Sequence, residues 1–216
     1  MLKRIIFDQD NTLMIWYDKY DETYKYALDE LGISYDEKSV KELIDVVCSY
    51  EGNFDYFNKK AMVDFINENC VIKVPDSFMD VWLNYLCDCY SEEDKKIIPT
   101  LDYLSKKYEL VVLSNWFGYS QKERLKHIGM YKYFKDMVFT ENTKMKPNKE
   151  AFLTACGPYK PEECLMIGDG IDIDINGAIN AGLEAMLFDP NDKYEYKNKI
   201  KDIKELEELL WNFMMN

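Results

Sequence analysis

The sequence predicts an α/β protein, a doubly wound parallel sheet with a helical block inserted after its first strand. Three observations carry that prediction. Short apolar, β-branched runs recur along the chain, and each stops abruptly at a polar residue, as buried strands do on leaving a sheet. From Ile97 onward such runs alternate with helical patterns, which implies parallel pairing with helices on both faces. Between the first run and this alternating region, Trp16–Tyr90 reads as helix almost throughout.

The first strand lies in Leu2–Leu13, where Ile5, Ile6 and Phe7 meet Asp8, with a second acid at Asp10 and a turn starting at Asn11-Thr12. Asp18–Leu31 carries apolar and aromatic residues at helical spacing and stops at Gly32. Lys38–Tyr50, Asp55–Asn69 and Asp76–Tyr90 read as three more helices, separated by Gly52-Asn53 and Val74-Pro75. The aromatic side chains crowded here, Tyr17, Tyr20, Phe57 and Trp82 among them, are expected to pack helix against helix. Ser91–Lys96 reads as a surface hinge or linker. The alternating region follows: helix Pro99–Lys107, strand Leu110–Leu113, helix Tyr119–Ile128, strand Met137–Phe139, helix Asn148–Cys156 and strand Leu165–Ile167. Helix Asp174–Ala181, strand Met186–Phe188 and helix Ile203–Met214 close the chain.

Composition narrows the function classes. With 216 residues, 47% of them hydrophobic, the chain can bury a sizeable core as one domain or one domain with an insertion. A net charge of −13 argues against a nucleic-acid partner, whose binding rests on cationic neutralisation of phosphates. The acidic turn at Asp8 leaves no signal-peptide pattern, and Leu110–Gln121, an uncharged run, is too short for a membrane span. The expected location is the cytoplasm, and the six scattered cysteines are expected to be reduced thiols.

The residues at the strand ends are Asp8, Ser114, Glu141, Asp169 and Asp189. Ligands of an open parallel sheet bind at the carboxyl ends of its strands, so these residues are expected to share one polar site beneath the helical block. Asp8, Asp10 and Asp169 are the candidate magnesium ligands, with Asp174 supporting the metal and Asp172 a turn residue. Clustered acids repel unless a cation lies among them, and the near absence of histidine favours a hard ion over zinc. Ser114-Asn115 either caps the following element or, facing Asp8, bonds a substrate phosphoryl oxygen. Lys146, directed by Pro147 at the start of a helix, is placed to pair with Asp8 and a phosphate. His127, the sole histidine, is expected at the surface or in packing. A rival reading exists for Asp172-Ile-Asp174-Ile-Asn176-Gly177, which fits the first half of a calcium-binding helix–loop–helix; its twelfth position, however, is Leu183 in place of the required glutamate.

Taken together, Asp8-Gln9-Asp10-Asn11-Thr12-Leu13, Ser114-Asn115, Lys146-Pro147 and Gly168-Asp169 with Asp174 resemble the four motifs of the haloacid dehalogenase superfamily, in order and across nearly the whole chain. The inserted helices look like the small cap of its phosphoglycolate-phosphatase-like branch. Asn11 stands where glycine is commonest in that pattern, Gly170 where serine often stands, and Trp116 is bulkier than the usual residue.

The resemblance implies a Rossmann-like core of residues 1–15 and 91–216 with a helical cap of residues 16–90. It implies that Asp8 is the nucleophile forming an aspartyl-phosphate and that Asp10 protonates the leaving alcohol and then activates water. Ser114, Asn115 and Lys146 are the implied substrate-binding residues. Asp8, Asp169 and the Asp10 main-chain carbonyl are the implied Mg²⁺ ligands, assisted by Asp174. An acid at position 10 favours phosphate-ester hydrolysis over dehalogenation. The expected activity is therefore a Mg²⁺-dependent phosphatase of a small phosphorylated metabolite, a nucleotide monophosphate or sugar phosphate, working as a monomer or homodimer. The alternatives are phosphoryl transfer to a second alcohol, as in a mutase, and a calcium-binding regulatory protein without enzymatic activity.

Overall fold

A computed structural model describes residues 1–15, 19–141 and 143–215. Trp16, Tyr17 and Asp18, which open the predicted helical block, lie outside the described residues. Strand β1 (Arg4–Phe7) is buried at all four positions, which is why Ile5–Phe7 is a continuous apolar run rather than an alternating one, while the buried Arg4 bonds to Ala155 O and pairs with Glu109. It lies at the centre of a six-stranded sheet together with β2 (Glu109–Ser114), β3 (Phe134–Phe139), β4 (Cys164–Gly168), β5 (Glu184–Phe188) and β6 (Lys199–Ile200). The order is β3-β2-β1-β4-β5-β6, with every pair parallel. The chain winds one way from β1 to β3 and the other way from β4 onward, so the direction reverses between β1 and β4. Ile6 lies in register with Val111 on one side and Met166 on the other.

Helices cover both faces of this sheet. One apolar cluster joins Ile5, Phe7, Leu101, Leu104, Leu110, Val112, Leu125 and Leu206, and so seats α5 (Ile98–Ser105), α6 (Gly118–His127) and α9 (Glu205–Met215) on one face. The opposite cluster joins Ile6, Val111, Phe152, Met166, Ile175 and Ala178, and seats α7 (Lys149–Cys156) and α8 (Gly177–Ala181).

The helical block consists of α1 (Lys19–Glu30), α2 (Glu37–Ser49), α3 (Lys59–Asn69) and α4 (Phe78–Leu86). It has a hydrophobic cluster of its own, running from Tyr20 to Cys89, in which Tyr24 lies against Trp82 at 4.3 Å between ring centroids. Residues from outside the block enter that cluster, among them Phe117 just after β2 and Met145 beside Lys146. Trp116 inserts edge-on among Phe57, Trp82 and Phe117. The block is thus anchored on the loops at the carboxyl edge of the sheet.

Several boundaries differ from expectation for local reasons. Helix α3 starts at Lys59, because the Asn58 side chain accepts from Ala61 N and caps it there. β3 starts three residues early, at Phe134, and β6, too short for a sequence pattern, extends the edge beyond β5. Ser91–Lys96 is no loose hinge. Ser91 and Asp94 form a capping box that opens a 3₁₀ turn over Glu92–Ile97, and the buried Asp94 also accepts from Ile15 N at 3.2 Å. The expected helix from Asp174 forms in two segments, a π-helical turn Ile171–Asn176 and then α8. All six cysteines are free, and His127 is exposed, its Nδ1 3.1 Å from Cys87 O.

Candidate active site

Asp8 leaves the central strand at the point where the winding reverses, and its own N–H donates to Ile167 O of β4. The chain then turns tightly, with Leu13 N and Met14 N both donating to Gln9 O. Asn11 takes a φ of +60° in this turn, a conformation that asparagine tolerates better than most residues, which explains why it can stand where glycine is usual. β4 brings Asp169 alongside, and the π-helical turn after it folds Asp174 back, with Asp174 N donating to Gly170 O and Gly170 N to Asp174 Oδ2. Gly168 is required for this return: a Cβ there would lie 2.5 Å from the Asp174 carboxyl carbon. Gly177 serves the same purpose farther along, since its Cβ would strike the Phe152 ring at 2.7 Å.

One carboxylate oxygen from each of Asp8, Asp169 and Asp174 lies within 4.8 Å of the other two. Lys146 reaches into the same place from the loop before α7. Its Nζ donates to Asp8 Oδ1 and to Asp174 Oδ1, each at 2.6 Å, and Lys146, Asp8 and Asp174 are all buried. Burial pushes the Asp8 carboxyl well above its ordinary range; Lys146 opposes that shift, and the charges of Asp174 and Asp169 reinforce it. Burial and the Asp174 charge likewise raise Asp169 to about 6. Burial works against the Lys146 charge, but Asp174 and Asp8 outweigh it, and the ammonium is held above its usual range. Three carboxylates therefore share one lysine, an excess of negative charge that fits a hard divalent cation with oxygen donors.

The remaining predicted residues fall into two groups. Ser114, buried at the end of β2, accepts at Oγ from Gln121 Nε2 at 2.8 Å. Asn115 lies beside the lysine. Both ends of its carboxamide are engaged by the Lys146 main chain, with Oδ1 accepting from Lys146 N at 2.8 Å and Nδ2 donating to Lys146 O at 2.9 Å. It braces the lysine. The Asp10 side chain, expected as a metal ligand, stands apart from the three clustered acids: Oδ1 accepts from Arg124 at 2.6 Å and Oδ2 from Gln121 at 2.6 Å.

Two strand-end acids expected to face the site are diverted. Asp189 accepts from Lys193 N and Tyr194 N, each at 2.9 Å, and so folds its own loop. Glu141 accepts from Gly118 N at 2.6 Å and ties β3 to the start of α6. The calcium-loop reading fails on the backbone, because Cys164–Gly168 is a strand where an entering helix is needed and Asp174 is turned onto Lys146. Gln121 and Arg124 were not foreseen, since a glutamine and an arginine in a helix read as solvent-facing. The available signal was their i, i+3 spacing just after Ser114-Asn115.

This arrangement has relatives. The profile of the haloacid dehalogenase-like hydrolases matches residues 5–188. Glyceraldehyde 3-phosphate phosphatase of Methanopyrus kandleri is 29% identical over 197 residues, covering 85% of this chain and 82% of that protein. Among solved structures, the HAD hydrolase YfnB of Bacillus subtilis, bound to magnesium, superposes with a TM-score of 0.72 at 20% identity, covering 97% of this chain and 98% of that one. The 2-haloacid dehalogenase of Pseudomonas syringae pv. Tomato superposes with a TM-score of 0.74 at 19% identity, covering 99% and 100%. With four motifs in order, a reversal point between β1 and β4, and a profile match over most of its length, the chain belongs to the haloacid dehalogenase-like hydrolases.

Proposed function

We propose that this chain is a Mg²⁺-dependent phosphatase that hydrolyses a small phosphate monoester through an aspartyl-phosphate on Asp8. The observation that carries the reading is the Asp8 carboxylate itself, buried at the reversal point with one oxygen on Lys146 and two further acids within 4.8 Å. A carboxylate approaching an anionic phosphate is repelled, so the reaction depends on positioning and on positive charge. Asp8 and Asp169, with Asp174 beside them, would hold a magnesium ion, which would supply some of that charge. Lys146 supplies the rest from the protein and holds Asp8 in line. Asp8 bonds to phosphorus as the bond to the leaving oxygen breaks, and Asp10 gives that oxygen its proton. Water then attacks phosphorus and passes a proton to Asp10, which releases phosphate and regenerates Asp8. Ser114 binds a phosphoryl oxygen.

Residues 16–90 serve as a cap over the core of residues 1–15 and 91–216, and side chains of the cap select the substrate. The magnesium in the YfnB structure supports the choice of metal. A relative that aligns along most of the chain is named for glyceraldehyde 3-phosphate, which favours sugar phosphates over nucleotide monophosphates as the substrate class in the cytoplasm.

The test is phosphate release from p-nitrophenyl phosphate and from a panel of sugar phosphates and nucleotides, with and without Mg²⁺. Turnover is expected with magnesium, to disappear in EDTA, and to fall at least ~1000-fold in Asp8→Asn. Full activity of a folded Asp8→Asn protein would remove the mechanism.

A further inference from the structure

Gln121 and Arg124 lie on one face of α6, both buried, and Arg124 is only 1% exposed. Their bonds form a closed set around Asp10. Arg124 Nη1 donates to Asp10 Oδ1 and to Gln121 Oε1, each at 2.6 Å. Gln121 Nε2 donates to Asp10 Oδ2 at 2.6 Å and to Ser114 Oγ at 2.8 Å. Gln9, between the two acids of the first motif, donates to Gln121 Oε1 and to Gln121 O. The orientation of the Gln121 amide is forced, because a guanidinium can only donate and a carboxylate can only accept; the flipped amide would set donor against donor. The third contact of Arg124 runs outward. Its Nε donates to Cys89 O at 2.8 Å, where the chain returns from the helical block, and its guanidinium lies 4.9 Å from the centre of the Tyr20 ring on α1.

An arginine buried this deeply is costly unless its position serves a purpose, and here its ionic partner is the Asp10 carboxyl. Neither Gln121 nor Arg124 bonds to Asp8, Asp169 or Asp174. They act on the residue two positions beyond the nucleophile and link it to Ser114 on one side and to the returning chain on the other.

We propose that Gln121 and Arg124 are positioning residues for Asp10, holding both of its oxygens as acceptors so that it takes the proton from the water that hydrolyses the aspartyl-phosphate. The inference rests on the phosphatase reading. In the step concerned, water oxygen bonds to phosphorus, the bond from phosphorus to Asp8 breaks, and the proton of the water goes to the Asp10 carboxylate; that proton later reaches the next leaving alcohol. Arg124 ties this geometry to Cys89, so the base is aligned jointly by α6 and by the segment that returns from the block.

The prediction is a split between kinetic constants. If only the step after phosphoryl transfer slows, kcat and KM fall together and kcat/KM is preserved, whereas a general loss of site structure lowers kcat/KM. With p-nitrophenyl phosphate and Mg²⁺, Gln121→Met and Arg124→Met are expected to lose about 100-fold in kcat, with KM falling in step and kcat/KM changed less than about threefold. Acid-quenched protein should then carry covalent phosphate, detected by intact-mass measurement. If Arg124→Met does not fold, Gln121→Met, which leaves the ion pair in place, decides by the same split. Unchanged kcat in folded variants, or a fall in kcat/KM as deep as that in kcat, overturns the assignment. A wild-type protein without turnover removes the phosphatase reading and this inference with it; turnover without the split removes the inference alone.

Discussion

Two acids that the sequence places alike, each at the carboxyl end of a parallel strand, meet opposite fates. Asp8 ends β1 among Asp169 and Asp174, and its carboxyl is pushed up by burial. Asp189 ends β5 and its carboxyl is held below the usual range: burial works against that, but the N–H groups of Lys193 and Tyr194, with Lys199, prevail. The first acid is surrounded by like charge and the second by donors. A strand end thus brings an acid to the edge of the sheet, and the following loop decides whether it becomes a structural cap or a buried group left short of counter-charge.

The sharpest way to break this contrast is to remove Lys146, which moderates the first cluster. Lys146→Met leaves Asp8 and Asp174 unpaired in a buried site, and a stability loss of about 3 kcal/mol is expected by urea denaturation in EDTA. Addition of Mg²⁺ should recover some of that loss, a response that Asp189→Asn should not show. A smaller disturbance tests the geometry. Gly168→Ala drives a methyl group into the Asp174 carboxyl, and about a 100-fold fall in kcat is expected, with melting temperature as the control for folding.

The gentlest test is acidity. In EDTA, Asp169, raised to about 6, binds its proton more readily folded than unfolded, so it destabilises the fold at neutral pH. Stability should therefore rise as pH is lowered through about 6 toward the ordinary carboxylate value of about 4. Asp189 and Asp192 have the opposite sign. Asp192 is lowered to about 2 by Lys199 and Lys201, so what it contributes is present above about 4 and lost as pH falls toward 2. A maximum between those limbs is expected in melting temperature against pH. A profile that only falls from pH 7 downward would show that the cluster around Asp8 is not short of positive charge.

The features of this molecule legible in its sequence are those set by short-range pattern. Ile5–Phe7 had to be a buried strand, Gly32 had to end a helix and takes a φ of +66°, and the alternation after Ile97 fixed parallel winding. Asp8, Lys146, Asp169 and Asp174 were legible for the same reason, each belonging to a short motif at an element boundary. What stayed hidden depends on contacts far apart in the chain. Nothing near Asn115 announces that the Lys146 main chain will engage it from 31 residues away. Arg124 is the extreme case. Its neighbours Lys122, Glu123 and Lys126 suggest a wet surface, yet its partners Asp10 and Cys89 come from distant segments.

Asp94 has a consequence at the base of the helical block. One of its oxygens accepts from Ile15 N on the outgoing chain and the other from Ser91 N on the returning chain. The two crossings are therefore riveted to a single carboxylate. A foreign insert joined at the same two posts would keep this clasp but lose the packing of Trp116 and Phe117 and the seat of Arg124 against the native helices.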